Sequence, residues 1–216
     1  QLLVQELPAV FQVPAHSIVA YALAHVLARW AGRRQVLINL RGHGRDDWFT
    51  DLDVTRPVGW FTTLVPVLFT IDEAQEPEAA LQAVQAQIAV AAQTGGAYGL
   101  LRYLATDSQV RERRSALVKA EVNFNYLGRH GRAFVRDLSL GPAPEGPGPL
   151  MSPESPRSEL LDVVGRVGAG RLRLTWNYSA ARHREETIAA LAQAHLAALR
   201  ALIAQGAALL EAHPII

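Results

Sequence analysis

The residues with the most chemical potential in this chain lie between Arg41 and Thr63 and in the strand-like run around Asn125. In Arg41-Gly42-His43-Gly44-Arg45 two glycines flank one histidine, a pattern that favours a tight turn bringing backbone close to another group. His43 therefore either braces that turn or stands at the wall of a substrate channel. Further on, Trp60 and Phe61 read as core residues, and the adjacent Thr62 and Thr63 are able to bind a polar chain. Glu121 to Leu127 alternates: Val122, Phe124 and Tyr126 point one way, and Asn123 and Asn125 share the less apolar face, where a ligand can be hydrogen-bonded. Asp46, Asp47, Asp51 and Asp53 crowd one loop, but the EF-hand order of oxygen ligands, glycine and glutamate is missing, so no metal is expected.

Much familiar chemistry is excluded. The chain has no nucleophile elbow, P-loop, dinucleotide fingerprint or paired-histidine zinc motif. It has no cysteine, which removes disulfides, thiolate metal sites and cysteine nucleophiles together. A net charge of +1 implies neither nucleic acid nor an anionic membrane as partner. Lys119 is the sole lysine among many arginines, a bias read as genomic rather than as phosphate recognition. No apolar run is expected to span a bilayer, and no signal peptide is visible. With 216 residues, half of them hydrophobic, the chain is long enough for one domain with a sizeable core. It starts at Gln1 without a methionine and reads as a piece of something longer.

The elements that must position these residues follow from periodicity. Gln1 to Pro14 reads as an extended lead-in. A helix is predicted from about His16 to Ala31, with Val19, Leu23, Val26, Leu27 and Trp30 as its apolar stripe and Gly32 as its stop. Val36 to Leu40 predicts a strand covered on both faces. Val58 to Ile71 predicts a second strand, bulged or at an edge because Pro66 removes a ladder donor. A helix over Glu76 to Ala92 ends at Thr94-Gly95-Gly96, and an irregular helix begins at Tyr98. Arg111 to Arg114 reads as a solvated face. Pro142 to Pro156, rich in proline and glycine, is a surface loop. Leu160 to Val167 and Arg171 to Tyr178 predict an antiparallel hairpin around Gly168-Ala169-Gly170, and Glu185 to about Ala204 the last amphipathic helix. His25 and His195 fall within helices as satisfied structural histidines, and His183 leads into the last helix. The pattern is mixed α/β, with helices covering one sheet.

Several of these segments together resemble a known family. Arg41-Gly42-His43-Gly44-Arg45 and Arg56-Pro57-Val58-Gly59-Trp60-Phe61-Thr62 resemble the EGHGRE and RTVGWFT signatures of epimerization domains in nonribosomal peptide synthetases. Gly95 to Tyr103 is similar to GxGYGLLRY, and Phe124-Asn125-Tyr126-Leu127-Gly128 is the family's FNYLG. The resemblance covers essentially the whole chain. It implies an α/β lobe of the chloramphenicol-acetyltransferase type, a mixed sheet covered by helices, with residues 1–216 forming the C-terminal lobe of a two-lobed domain. A tunnel between the lobes receives an aminoacyl or peptidyl thioester on the phosphopantetheine arm of a peptidyl carrier protein. Inversion at Cα proceeds through an enolate and needs an acid, a base and donors to the enolate oxygen. The implied partners are the carrier protein, the N-terminal lobe and neighbouring synthetase domains in a cytoplasmic enzyme. No cofactor is bound by the lobe itself.

The implied catalytic positions are Asn125, Tyr126 and position 41, and the implied substrate-lining residues are His43, Trp60, Thr62 and Tyr98. Two departures stand out. The family's HHxxxDG motif belongs to the other lobe and does not occur here. Where the family has glutamate before GHGR, this chain has Arg41, and a guanidinium can donate hydrogen bonds but cannot take a proton. The ordinary two-base mechanism is compromised by that replacement, and Arg41→Glu is expected to improve a poor epimerase. Val65 also replaces the family's tyrosine before Pro66, and Ala15-His16 stands where Asn-Asp is frequent. The isolated lobe is expected to be inactive. Two alternatives remain open: a degenerate structural or docking module, and a lobe of a peptide-bond-forming condensation domain.

Overall fold

The computed structural model describes residues 2–45, 51, 53–129, 148, 152 and 154–212. Five strands form one mixed sheet in the order β2-β1-β3-β4-β5. β1 (Gln35–Gly42), β3 (Val122–Arg129) and β4 (Leu161–Gly168) run parallel through its middle. β2 (Thr63–Thr70) and β5 (Arg171–Tyr178) close the edges antiparallel to β1 and β4. The expected hairpin is present, and its tip is the pair Ala169 (φ 49°) and Gly170 (φ 73°), the backbone that a two-residue turn between right-twisted strands requires. Pro66 does lie in an edge strand, paired with Asn39. Most of the proline-rich loop expected at 142–156 lies outside the described residues.

Helices cover one face of the sheet. Val36, Ile38, Val67, Phe69, Phe124, Leu161, Val163 and Trp176 form that face and join a core with the helical side chains. α2 (Ala15–Ala31) lies at its centre and ends as predicted at Gly32, whose N–H reaches the carbonyls of Ala28 and Arg29 at a φ of 62°. Trp30, assigned to its apolar stripe, is instead 53% exposed at the last turn, beyond the reach of the sheet. Coverage on both faces of β1 is not realised. Ile38 alone in that strand is fully buried, and on the opposite face Leu64 and Leu68 of β2 stay exposed.

Three further expectations give way to packing. The segment before α2 is not extended: a π-helical turn (Leu2–Glu6) leads into α1 (Leu7–Phe11). Leu3, Leu7 and Phe11 are buried at a spacing of four, and Pro8 sits in the first turn of α1, where its missing N–H costs nothing. α3 (Pro77–Gly99) runs straight through Gly95 and Gly96 and passes into a π-helical turn, Leu100–Leu104. Gly95 is there for proximity, since a Cβ on it would lie 2.4 Å from Val65 Cγ2. Gln87 of the same helix accepts a hydrogen bond from the Thr70 N–H of β2 at 2.9 Å, so α3 also shields the edge strand. α4 (Ser108–Ser115) carries the arginine run and is capped by Asp107, whose carboxylate accepts from Gln109 N at 2.8 Å.

α5 (Glu185–Ala212) continues well past Ala204. It does so because Gly206 is buried against α1, where a Cβ would lie 2.1 Å from Leu7 Cδ2. By length and mean hydropathy α5 is able to cross a bilayer, contrary to the expectation from apolar runs, yet Ile188, Leu191, Leu199 and Leu202 are buried in the core. Its His195 is fully buried, with Nε2 3.2 Å from the Val19 carbonyl of α2, which is the structural role expected of it.

This packing has two measurable consequences. In an open helix Gly→Ala gains about 1 kcal/mol, but Gly95→Ala is expected to lose roughly 1–2 kcal/mol because Val65 must be displaced; urea denaturation of the variant measures this. Burial holds the His195 imidazole down to about 4, against 6.5 when unfolded. The unfolded chain therefore takes up a proton below 6.5 that the folded chain refuses, and stability falls as pH drops from 6.5 towards 4, by about 3 kcal/mol at the lower end. His195→Leu is expected to flatten that part of the pH–stability curve. Trp176 fluorescence reports the transition, since its ring lies edge-on to His195 at 5.9 Å.

Candidate functional site

The uncovered face of the sheet carries the polar residues. Backbone register places Asn39 of β1 opposite Asn123 of β3, Asn123 opposite Asp162 of β4, and Asp162 opposite Asn177 of β5. Four strands thus contribute one amide or carboxylate each to a single row, which ends at Pro66 on β2. Asn123 is buried, with 1% of its surface exposed, and its Oδ1 has no hydrogen-bond partner among the described residues. Asn177 Nδ2 donates to Asp162 Oδ2 at 3.2 Å. Two residues further along β1, on the same face, Arg41 places Nη2 3.7 Å from Asp162 Oδ1, reaching across β3. That separation is an ion pair without a hydrogen bond, and Asp162 Oδ1 is buried with no hydrogen-bonding partner among the described residues.

Asn125 shares this face with Arg41, because strand side chains alternate. Tyr126 does not. It points to the helical side, packs against the core, and its Cδ2 lies 3.2 Å from where a Cβ on Gly165 would stand. Its hydroxyl is buried and unpartnered among the described residues, and burial pushes the phenol above its usual range. Two adjacent residues of FNYLG therefore serve opposite faces of the sheet.

The turn after β1 is held by its own residues. Arg45 N–H donates to His43 Nδ1 at 3.0 Å, so the imidazole braces the turn. Gly44 has a φ of 66°, and a Cβ there would fall 1.6 Å from the Phe61 carbonyl oxygen. This is the close backbone approach that two glycines suggested. The Arg45 guanidinium donates to the carbonyls of Val54 and Pro57, the latter at 2.9 Å, and stacks 4.3 Å above the Phe61 ring. Asp53 accepts from Thr55 N at 2.9 Å, and bonds from Thr55 hold its carboxyl below the usual range. Among the described residues no three acids or histidines cluster to hold a metal; Asp46 and Asp47 lie outside them.

The remaining candidates are dispersed. Trp60 is 87% exposed on the loop before β2, which corrects its reading as core. Thr62 is exposed beside it, and Phe61 is half-buried under Arg45. Tyr98, near the end of α3, accepts a hydrogen bond from the buried Arg102 guanidinium at 2.9 Å, and Arg102 also donates to the Arg114 carbonyl. Tyr98 lines a cleft of about 1760 Å³ with Leu37, Pro66, Leu68 and Val122, towards the end of β1 remote from Arg41. The structure thus gathers Arg41 and Asn125, sets His43 just beyond them, and separates Tyr98. Asp162 and Asn177 escape sequence reading; the available signal is a carboxylate inside the apolar run Leu160-Leu161-Asp162-Val163-Val164.

A mixed sheet with helices on one face and a polar row on the other defines the class of lobe found in chloramphenicol-acetyltransferase-like enzymes. The sequence profile of the condensation domain matches residues 3–214, and the chain belongs to that family, whose members here are parts of nonribosomal peptide synthetases. It is 37% identical over 202 residues to linear gramicidin synthase of Brevibacillus parabrevis, covering 94% of this chain and 4% of that protein. It is 35% identical over 190 residues to chondramide synthase of Chondromyces crocatus, covering 88% and 5%. Among solved structures, the epimerization domain from the third module of tyrocidine synthetase B superposes with a TM-score of 0.84 at 31% identity, over 96% of this chain and 45% of that one. The first condensation domain of the CDA synthetase, at 12% identity and a TM-score of 0.61, shares the fold. The chain therefore spans a small part of these synthetases and less than half of that epimerization domain.

Gly44→Ala tests the loop anchorage. The Cβ clash with the Phe61 carbonyl is expected to break the bracing of residues 53–61 by Arg45, raising amide hydrogen exchange there at least tenfold while β3 and β4 stay protected. Unchanged exchange would mean that Arg45 does not anchor this loop.

Proposed function

We propose that this chain is one lobe of an epimerization domain, which with its companion lobe inverts Cα of an aminoacyl or peptidyl thioester held by a carrier protein. The observation that carries this reading is the 31% identity across nearly the whole chain to an epimerization domain, at a TM-score of 0.84. The retained Gly59-Trp60-Phe61-Thr62 and Phe124-Asn125-Tyr126-Leu127-Gly128 segments add to it.

The residues of this face suit the reaction. Asn125 and Arg41 supply N–H donors where the thioester oxygen takes up negative charge. The amides of Asn39 and Asn177 offer hydrogen bonds to the peptide-like arm that carries the substrate. The companion lobe supplies a proton-transferring group on the opposite face of Cα. Peptidyl carrier protein and neighbouring synthetase domains are the partners, within a cytoplasmic enzyme. The replacement of a glutamate by Arg41 favours a second reading, in which the lobe is a non-catalytic docking module.

The test is α-proton exchange into deuterated water by the complete protein containing this chain, loaded with an aminoacyl carrier protein. Exchange with both configurations appearing is the expected outcome, with none from the 216-residue chain alone. Peptide-bond formation without exchange would replace this reading by a condensing one. Silence in both assays would favour the docking module.

A further inference from the structure

The replacement of the family's glutamate leaves this wall of the tunnel short of a proton acceptor, and the sheet contains one candidate to take its place. Among the described strand residues on the uncovered face, Asp162 is the sole carboxylate. It lies in a central strand, in register with Asn123 and 3.7 Å from the guanidinium that occupies the vacated position. We infer that Asp162 is the proton-transferring carboxylate of this lobe, with the Arg41 guanidinium as its partner at the enolate oxygen. The inference rests on the epimerization reading and names the group through which that chemistry runs in this chain.

The geometry supports a division of labour. Asn177 fixes one carboxylate oxygen, Oδ2, and so leaves Oδ1 as the reactive one. Oδ1 has no hydrogen-bond donor among the described residues, as is also true of Oδ1 on the neighbouring Asn123, so two acceptors stand side by side without a proton between them. A buried acceptor without a donor is costly, and a proton from substrate removes that cost. Arg41 approaches Oδ1 without hydrogen-bonding it, and its side chain is 34% exposed. The guanidinium is therefore free to turn towards a thioester oxygen and uncover Oδ1 as it does so.

In the resulting step the Cα–H bond breaks and an O–H bond forms on Asp162 Oδ1. The electron pair moves into the thioester carbonyl, whose oxygen becomes an enolate held by Arg41 and Asn125. The acid of the companion lobe then protonates Cα on the opposite face, which completes the inversion. The Asp162 proton exchanges with solvent before the next turnover, and the companion group regains its own from water. No oxidant or reductant is consumed.

The experiment compares four forms of the complete protein in the deuterium-exchange assay: wild type, Asp162→Asn, Arg41→Glu, and the double variant Arg41→Glu/Asp162→Asn. Asp162→Asn is close in shape and keeps an acceptor for Asn177, yet is expected to lower exchange about 100-fold or more, the scale of one general base. Arg41→Glu alone is expected to lower exchange as well, because it sets two carboxylates together and removes the donor. That is the opposite of what the replacement at position 41 suggests in isolation. The double variant returns a single carboxylate to this wall and is expected to recover at least tenfold over Asp162→Asn, which a purely structural ion pair would not do. Thermal melting of each variant separates loss of chemistry from loss of fold. Exchange by Asp162→Asn within threefold of wild type overturns the assignment and leaves the epimerization reading intact. A folded wild type that shows no exchange overturns both.

Discussion

Burial of α2 between the sheet and α5 is the contact on which the lobe depends. Ile18, Val19, Leu23 and Leu27 are almost fully buried, and Ala20, Ala22, Ala24 and Ala28 let neighbouring elements approach closely. A helix that is apolar almost all round must be enclosed, and α2 can be enclosed only if β1 and β3 lie beneath it and α5 crosses above it. His195 then has to be neutral, because its ring is sealed against the α2 backbone. Gly206 has to be glycine where α5 meets α1.

With all helices drawn to one side, the other side of the sheet is left to polar residues. Asparagine and aspartate are poor strand formers, yet Asn39, Asn123, Asp162 and Asn177 occupy four neighbouring strands in one register row. A domain built for stability alone would fill such a row with valine or isoleucine. The local cost of the row is met by the apolar face directly behind it, where Ile38, Phe124, Leu161 and Trp176 lie in the adjoining register positions.

Much of this was legible in the sequence where one element decides the matter by itself. α2, β3 and the β4–β5 hairpin follow from periodicity and turn residues, and the alternation that separates Asn125 from Phe124 is a local property. What could not be read depends on which elements meet. Gly95 looks like a helix stop until β2 is placed beside it. Leu3, Leu7 and Phe11 are masked by prolines that suggest extended chain. The nearness of Arg41 to Asp162 exists only through the register of two parallel pairings that join segments far apart in sequence. Motif resemblance pointed to position 41 and was silent about position 162.

The order of strands in the sheet differs from their order in the chain, and this matters while the chain is being made. β1 and β2 are neighbours in sequence and can pair as soon as both are synthesised, but the other side of β1 must wait for β3, which begins at Val122. Through that interval Val36, Ile38 and Leu40 border an open strand edge, and such an edge pairs readily with the same segment of another molecule. Arg33 and Arg34 precede this run and Arg41 follows it, so positive charge brackets the vulnerable stretch at both ends. The guanidinium that occupies the site position in the finished lobe thus also serves as a guard against self-association in the unfinished one.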